Sequence, residues 1–367
     1  MKVVSLETKN FRNLEDSKLI CDEGVNVIYG NNAQGKTNLI EAIWLFTGSK
    51  SFRNTKDNDF IRFGEKNAKI ALKFKSQGRI QNASITFGEQ KKVILNKEEL
   101  LSSAKLTNKF CSVVFSPSHL TLISDGPMVR RKFLDNILSQ LKPKYVAALN
   151  DYQKAVHQRS ELLRDAKYHS DLLPLLDVFE HQAAVTASYI LDTRQKFVEY
   201  MLPVIKEHYG GISKNREQID ILYEPSGNLS DFSVESIKKA YIASRSEDMI
   251  TGNTSVGPHR DDLTVLINGY NARNFASQGQ QRSAVLALKL GEAHTIKNFI
   301  NEQPVALLDD IMSELDATRK RYILNCIKDW QVFITCCERS DLRGLNGGKL
   351  FYMKQGKFTE RKSKKED

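Results

Sequence analysis

A glycine-rich octapeptide set between an apolar run and an amphipathic one constrains this chain more than any other feature. Residues Val25 to Tyr29 are mostly apolar, and Gly30-Asn31-Asn32-Ala33-Gln34-Gly35-Lys36-Thr37 follows at once, matching GxxxxGK[ST]. The next stretch, Asn38 to Phe46, has apolar residues at helical spacing, so the segment reads strand, loop, helix. Such a loop curls its backbone amides around phosphate oxygens, and the helix behind it adds the positive end of its dipole. The pattern predicts that Lys36 bridges the β- and γ-phosphates of ATP, that the Thr37 hydroxyl holds Mg²⁺, and that Gly30 through Asn38 form the nucleotide contacts. A glycine-rich turn with no ligand is the bland alternative, and the flanking strand and helix weigh against it.

A P-loop works with an acid that ends a second buried strand. Val305-Ala306-Leu307-Leu308-Asp309-Asp310 has that form, with Asp309 expected to position Mg²⁺ and Asp310 to orient the attacking water beside Lys36. Alone, the segment fits a strand ending in solvated acids equally well. Thr37 and Asp309 lie 272 positions apart (309 minus 37), so a large insertion must split the nucleotide-binding fold.

Within the insertion, Leu134, Leu138, Leu141, Tyr145, Leu149, Tyr152 and Val156 recur every three or four residues, as do Leu172, Leu176, Phe179, Ala183, Ile190, Phe197 and Met201. Both runs predict long amphipathic helices, and the polar stretch from Asp165 to Asp171 predicts that they fold back as a short coiled-coil-like arm. In the first part of the chain, Ile70 to Phe74 alternates and a Gln77-Gly78 turn follows, which predicts an antiparallel sheet beside the parallel one. The expected fold is α/β: a discontinuous head, residues 1–125 and 250–367, with a mostly helical second lobe, 126–249. The Lys- and Glu-rich last dozen residues are expected to form a disordered tail.

Ser277-Gln278-Gly279-Gln280-Gln281-Arg282 precedes a helical run from Ser283 to His294. A Ser and a Gly at a helix entrance suit an anion, although an ordinary capped helix has the same signature. Order along the chain adds to it. Walker A, helical insertion, Ser-x-Gly-Gln, Walker B, then Ser313-Glu314-Leu315-Asp316 resembles the ATP-binding-cassette ATPases of chromosome and repair proteins. The blocks Asn10-Phe11-Arg12-Asn13, Ser51-Phe52-Arg53, Phe115-Ser116-Pro117, Gly126-Pro127 with Arg130 to Asp135, and Gly257-Pro258-His259-Arg260-Asp261-Asp262 resemble the RecF family, over nearly the whole chain.

The resemblance implies an ATP-dependent head-to-head homodimer in which Ser277, Gly279 and Gln280 of one subunit face the γ-phosphate held by Lys36 of the other, with Asp316 in the loop that meets the opposing subunit. It implies weak, DNA-stimulated ATP hydrolysis that releases the dimer, binding to gapped or single-strand/duplex junction DNA, and recombinase loading with RecO and RecR. Transporter ATPases carry a switch His after the strand that follows Walker B. Here Val332-Phe333-Ile334 leads into Thr335-Cys336-Cys337-Glu338, so Thr335 is a substitute by position only, and His259 fits packing or a DNA-proximal turn better than catalysis.

Fifty-four Lys and Arg against forty-four Asp and Glu, net +10, favour a polyanionic partner. Arg130, Arg131 and Lys132 are the expected DNA contacts, with Lys142 and Lys144 further on, although cations on a helix face are commonly just solvated. No apolar run is long enough for a membrane span, and the five cysteines show no CxxC spacing, so a cytosolic protein with reduced thiols and no zinc site is expected. A chromosome-organising ATPase of the SMC type is the alternative. Against it, each arm helix of some forty residues reaches only roughly 60 Å. A transporter subunit would pair its Walker segments more closely and carry the switch His.

Overall fold

The computed structural model describes residues 1–53, 55–166, 168–337 and 347–361. Glu338 and residues 362–367 of the expected tail lie outside the described residues, while Lys357–Arg361, expected in that tail, form a strand instead.

Two six-stranded sheets build the head. One is mixed, in the order β15-β14-β3-β13-β12-β8, and made of β3 (Val25–Tyr29), β8 (Ser112–Phe115), β12 (Val305–Asp309), β13 (Val332–Cys336), β14 (Lys349–Lys354) and β15 (Lys357–Arg361). All neighbours in it are parallel except β14 and β15. Strands β8, β12 and β13 are buried at every residue, which explains why β12 reads as an unbroken apolar run rather than an alternating one.

The other sheet is antiparallel, in the order β2-β1-β4-β5-β6-β7: β1 (Lys2–Lys9), β2 (Ser17–Ile20), β4 (Ala68–Ser76), β5 (Arg79–Phe87), β6 (Lys92–Leu95) and β7 (Glu98–Leu100). Strand β4 alternates buried and more exposed residues, the mark of a one-sided sheet. Its turn into β5 places Gln77 at φ 48 and Gly78 at φ 74, left-handed at both positions, as a two-residue hairpin of matching twist requires.

The helices are α1 (Lys36–Trp44), α2 (Pro127–Leu141), α3 (Pro143–Ala166), α4 (Leu173–Ser213), α5 (Val234–Thr251), α6 (Ala272–Phe275), α7 (Gln278–Ile300) and α8 (Ala317–Cys326). The first arm run is therefore two helices, not one. Lys142 is extended (φ −126, ψ 99), because the ring of Pro143 bars helical geometry in the residue before it, while Pro143 suits the first turn of α3. Helices α3 and α4 do fold back as an antiparallel pair. Fully buried Arg159 pins them to α5, reaching Glu180 at 3.1 Å and Asp248 at 2.6 Å.

Strand β9 (Ile219–Glu224) pairs antiparallel with β10 (Asp262–Ile267), which pairs with β11 (Tyr270–Asn271). The boundary expected at 249/250 thus divides one sheet. One hydrophobic core runs through head and lobe from Met1 to Met353, and a small satellite of Leu163, Ala166 and Leu176 closes the arm tip.

Candidate nucleotide site

The parallel strands bring the two distant motifs together at their carboxyl ends. The P-loop leaves β3, Asp309 ends β12, and β13 lies between the two. Ligands of open α/β sheets bind at this edge. Gly35, at φ 107, turns the loop into α1, and a Cβ there would come within 2.8 Å of the Asn13 side-chain oxygen. Only glycine permits that approach.

Residues Asn32 through Asn38 line a cavity of about 240 Å³ with Asn13, Arg53 and Asp310. Lys36, almost fully buried, folds its ammonium onto the loop and donates to the carbonyls of Gly30 (2.7 Å) and Asn31 (3.1 Å). The Thr37 hydroxyl donates to Asp309 Oδ1 at 3.0 Å. A hydroxyl and a carboxylate so close form a hard-oxygen pair of the kind Mg²⁺ takes, so these residues fit the ion.

Thr335 is the hub behind the acids. Its hydroxyl donates to Asp309 Oδ1 at 2.9 Å and accepts from the Asp310 amide at 2.9 Å. Burial pushes the Asp309 carboxyl above its ordinary pKa, while the hydrogen bonds from Thr335 and Thr37 pull it back. Asp310 takes a left-handed turn, φ 48, and its side chain lines the cavity. Thr335 thus positions both acids. Just after β13, Cys337 donates to Asn32 Oδ1 at 3.0 Å.

Sequence reasoning gave no role to the supports around the loop. Asn38 donates to Asn13 Oδ1 (2.7 Å) and Arg53 to Asn38 Oδ1 (2.9 Å). Fully buried Glu41 answers two arginines, Arg12 at 2.8 Å and Arg53 at 3.7 Å. The hairpin between β14 and β15 grips the loop from above, as the amides of Gln355 (2.5 Å) and Gly356 (3.0 Å) donate to Gln34.

The Ser277 segment contributes nothing to the lining of this cavity. It caps α7: Ser277 Oγ accepts from the Gln280 amide (3.2 Å), and Gln280 Oε1 accepts from the Ser277 amide (2.8 Å), a reciprocal capping box. Arg319 donates to the Gly279 carbonyl (2.6 Å) and to Ser283 Oγ (3.0 Å) and pairs with Asp316, which ties the segment to the loop after β12. The other end of the Gln280 side chain donates to Glu217 (2.8 Å), and Glu217 accepts from Tyr209 near the end of α4 (2.6 Å). Helix α4 therefore stops against the segment.

The expected DNA contacts separate. Arg130 is buried, with its guanidinium on Asp262 (2.7 and 2.9 Å) and on the carbonyls of Leu122, Ile123 and Asp125. It holds α2 to β10 and cannot reach a phosphate. Arg131 donates to the Asp261 carbonyl (2.6 Å) and Lys132 to that of Ser51 (3.2 Å), both half-buried on another face. Lys142 and Lys144 lie over the rings of Phe299 (5.7 Å) and Tyr189 (4.7 Å). His259 bonds Tyr152 (2.6 Å) and the Thr254 carbonyl (2.9 Å), away from the P-loop, and burial lowers its pKa to about 4. Among the described residues no cluster of His, Cys, Asp or Glu could hold a metal by itself, and no helix is long and apolar enough to cross a membrane.

Comparison with known proteins shows the family and the fold. The RecF/RecN/SMC N-terminal domain family matches residues 2–359. The DNA replication and repair protein RecF of Acetivibrio thermocellus is 37% identical over 353 residues, covering 94% of this chain and 96% of that one. RecF of Agathobacter rectalis is 38% identical, covering 92% of each. Among solved structures, the recombination mediator protein RecF with ATPrS, of the RecFOR pathway, superposes with a TM-score of 0.92 at 34% identity, covering 98% of this chain and 97% of that one. An Smc head bound to the winged-helix domain of ScpA shares the fold, with a TM-score of 0.56 at 16% identity, covering 100% and 99%.

Proposed function

The chain belongs to the RecF family of DNA replication and repair proteins, and from that premise we propose that it is an ATP-gated DNA-binding switch of recombinational repair, acting in the cytosol. The observation that carries the reading is the separation of two half-sites. Lys36, Thr37 and Asp310 line one cavity, with Asp309 behind it on the Thr37 hydroxyl, while the capped entrance of α7 lies outside that lining. A second subunit, docked head to head, brings Ser277, Gly279 and Gln280 to the γ-phosphate that Lys36 holds.

In this reading the amides from Gly30 to Asn38 cradle the phosphates and Lys36 turns from its loop carbonyls to the β- and γ-phosphates. Thr37 and Asp309 would hold Mg²⁺, which would supply charge neutralisation. Asp310 orients the attacking water, and Thr335 keeps both acids in register. Hydrolysis removes the group that the partner's α7 entrance recognises, so the dimer opens and its grip on DNA is reset. Gapped or junction DNA is the substrate, and RecO and RecR are the partners that pass it to a recombinase. The SMC-like alternative finds little support in the arm, whose longest helix, α4, has 41 residues, roughly 60 Å.

The test is ATP turnover against protein concentration, with and without gapped duplex, with Lys36→Met as the blank. Specific activity that rises with concentration and with DNA, and vanishes in the variant, supports the switch. Activity per subunit that is flat and indifferent to DNA leaves a P-loop ATPase and removes the switch.

A further inference from the structure

Blocks that carry the family resemblance, but take no part in the nucleotide site, meet in a cleft of about 700 Å³. One wall is a single stripe of α2 that includes Met128, Arg131, Lys132, Asp135 and Asn136, spaced as one helix face. The facing wall is a stripe of α3 with Leu149, Asn150 and Gln153, while Lys50 closes one end and His259 completes the lining.

The cleft is cationic. Lys50, Arg131, Lys132 and Arg194 line it with one carboxylate, Asp135; Arg194 is paired with Asp135 (2.7 Å) and with Asp261 behind the wall (3.2 Å), so the positive character comes from Lys50, Arg131 and Lys132. Arg131 donates to the Asp261 carbonyl and Lys132 to that of Ser51, contacts that orient both side chains. Burial, with Arg194 beside Arg131 and Lys50 beside Lys132, lowers the pKa of both groups, while Asp261, Asp262 and Asp135 pull that of Arg131 back up.

We propose that this cleft is a second ligand site, separate from that for ATP, which holds the phosphodiester backbone of a short stretch of single-stranded DNA. The inference rests on the DNA-binding reading above and assigns it a place. The volume falls in the range of ligand pockets, roughly 300–1,000 Å³. It admits a few nucleotides of one strand and excludes the body of a duplex. Exposed Lys50 and half-buried Arg131 and Lys132 meet the backbone, and the amides of Asn136, Asn150 and Gln153 meet base edges or sugars. The site also touches the ATP machinery: Lys132 bonds the Ser51 carbonyl, and Arg53, two residues on, lines the P-loop cavity.

The experiment uses the full chain with ATP and Mg²⁺ and measures fluorescence anisotropy on a labelled oligothymidylate of about ten nucleotides, within the usual site size for a single strand, and on a blunt duplex. Lys50 and Gln153 are exposed, so Lys50→Glu with Gln153→Glu adds repulsion without disturbing the core. Affinity for the single strand should fall tenfold or more and that for the duplex less than twofold. Lys50→Ala alone should flatten the salt slope on the single strand by about 0.7, one counterion fewer. Single-strand affinity within twofold of wild type, or equal losses on both DNAs, overturns the cleft assignment and leaves DNA binding standing. Wild-type protein that binds neither DNA removes the DNA-binding reading itself. Photocrosslinking of wild type to bromouracil-substituted strand gives an independent check: adducts should fall within 128–153, and adducts found only elsewhere overturn the assignment.

Discussion

Replacing Thr335 with Val removes one hydroxyl and keeps the branched shape, at a residue with no exposed surface. The hydroxyl donates to the buried Asp309 carboxylate and accepts from the Asp310 amide, each at 2.9 Å. A hydrogen bond to a charged group contributes about 1.5–3 kcal/mol. At 1.4 kcal/mol per tenfold, half-saturating Mg²⁺ for ATP turnover should rise about 10- to 100-fold. The pH dependence follows from the same bond. The Asp309 pKa is raised by burial and restrained by Thr335 and Thr37, so loss of Thr335 lifts it further, and protons compete harder with the ion. The Mg²⁺ defect should therefore be larger at the lower of two pH values. Stability has the opposite sense: a carboxyl with a raised folded pKa destabilises the fold by ionising, so without metal the variant's loss grows as pH rises through that folded value. The assay is turnover against Mg²⁺ at the two pH values, with Thr335→Ser as the control that keeps the hydroxyl. An unchanged Mg²⁺ requirement in the Val variant, or an equal defect in the Ser variant, refutes the role given to Thr335.

Glu217→Ala should raise the protein concentration for half-maximal specific ATPase activity about tenfold, because Gln280 loses a charged partner worth about 1.5–3 kcal/mol while its capping box remains, and Glu217→Gln should recover part of the loss. Arg130→Ala should cost about 3 kcal/mol or more in a denaturant titration, since it leaves Asp262 without its bidentate partner, yet leave the salt slope of DNA binding unchanged; a flatter slope would return Arg130 to the DNA surface. His259 has a folded pKa lowered to about 4 by burial, so its stabilising contribution is present above the ordinary value near 6.5 and lost as pH falls toward 4. Thermal melts of His259→Gln should therefore decline less steeply across that window than those of wild type, and a parallel decline would show that His259 is not a source of it.

What the sequence disclosed is what local chemistry dictates. The P-loop is contiguous and its glycines are required by geometry, and β12 is an apolar run because both of its faces are covered. The arm was legible as periodicity, but its stripe of Leu138, Leu141, Tyr145 and Leu149 keeps its spacing across the Lys142–Pro143 break, so the pattern alone did not reveal two helices. Strand β9 alternates Ile219, Ile221 and Tyr223, a period-two signal that was there to be read. Arg130, Arg131 and Lys132 could not be told apart, because neighbours on a helix differ by about 100° in direction and only the position of Asp262 decides which one is buried. Glu217 was invisible for the same reason: it meets Gln280 through folding, not through any local motif.

The strand order explains how so long an insertion coexists with an intact nucleotide site. The chain leaves the mixed sheet after β8 and returns to it in β12, and these two strands are parallel neighbours. Exit and re-entry are thus adjacent, and loop-closure entropy grows only logarithmically with length, so a whole lobe fits between them at little cost to the sheet. The return path has a mechanical consequence. Helix α7, capped by Ser277 at one end, runs to Ile300, and residues 301–304 alone separate it from β12, which ends in Asp309. At its entrance α7 is also tied through Gln280 and Glu217 to Tyr209 of α4. A shift of the arm that moves the end of α4 therefore acts on the α7 entrance directly and on Asp309 through one rigid helix. Separate loops would not give that coupling, and it makes α7 the element that joins the lobe to the nucleotide site of the head.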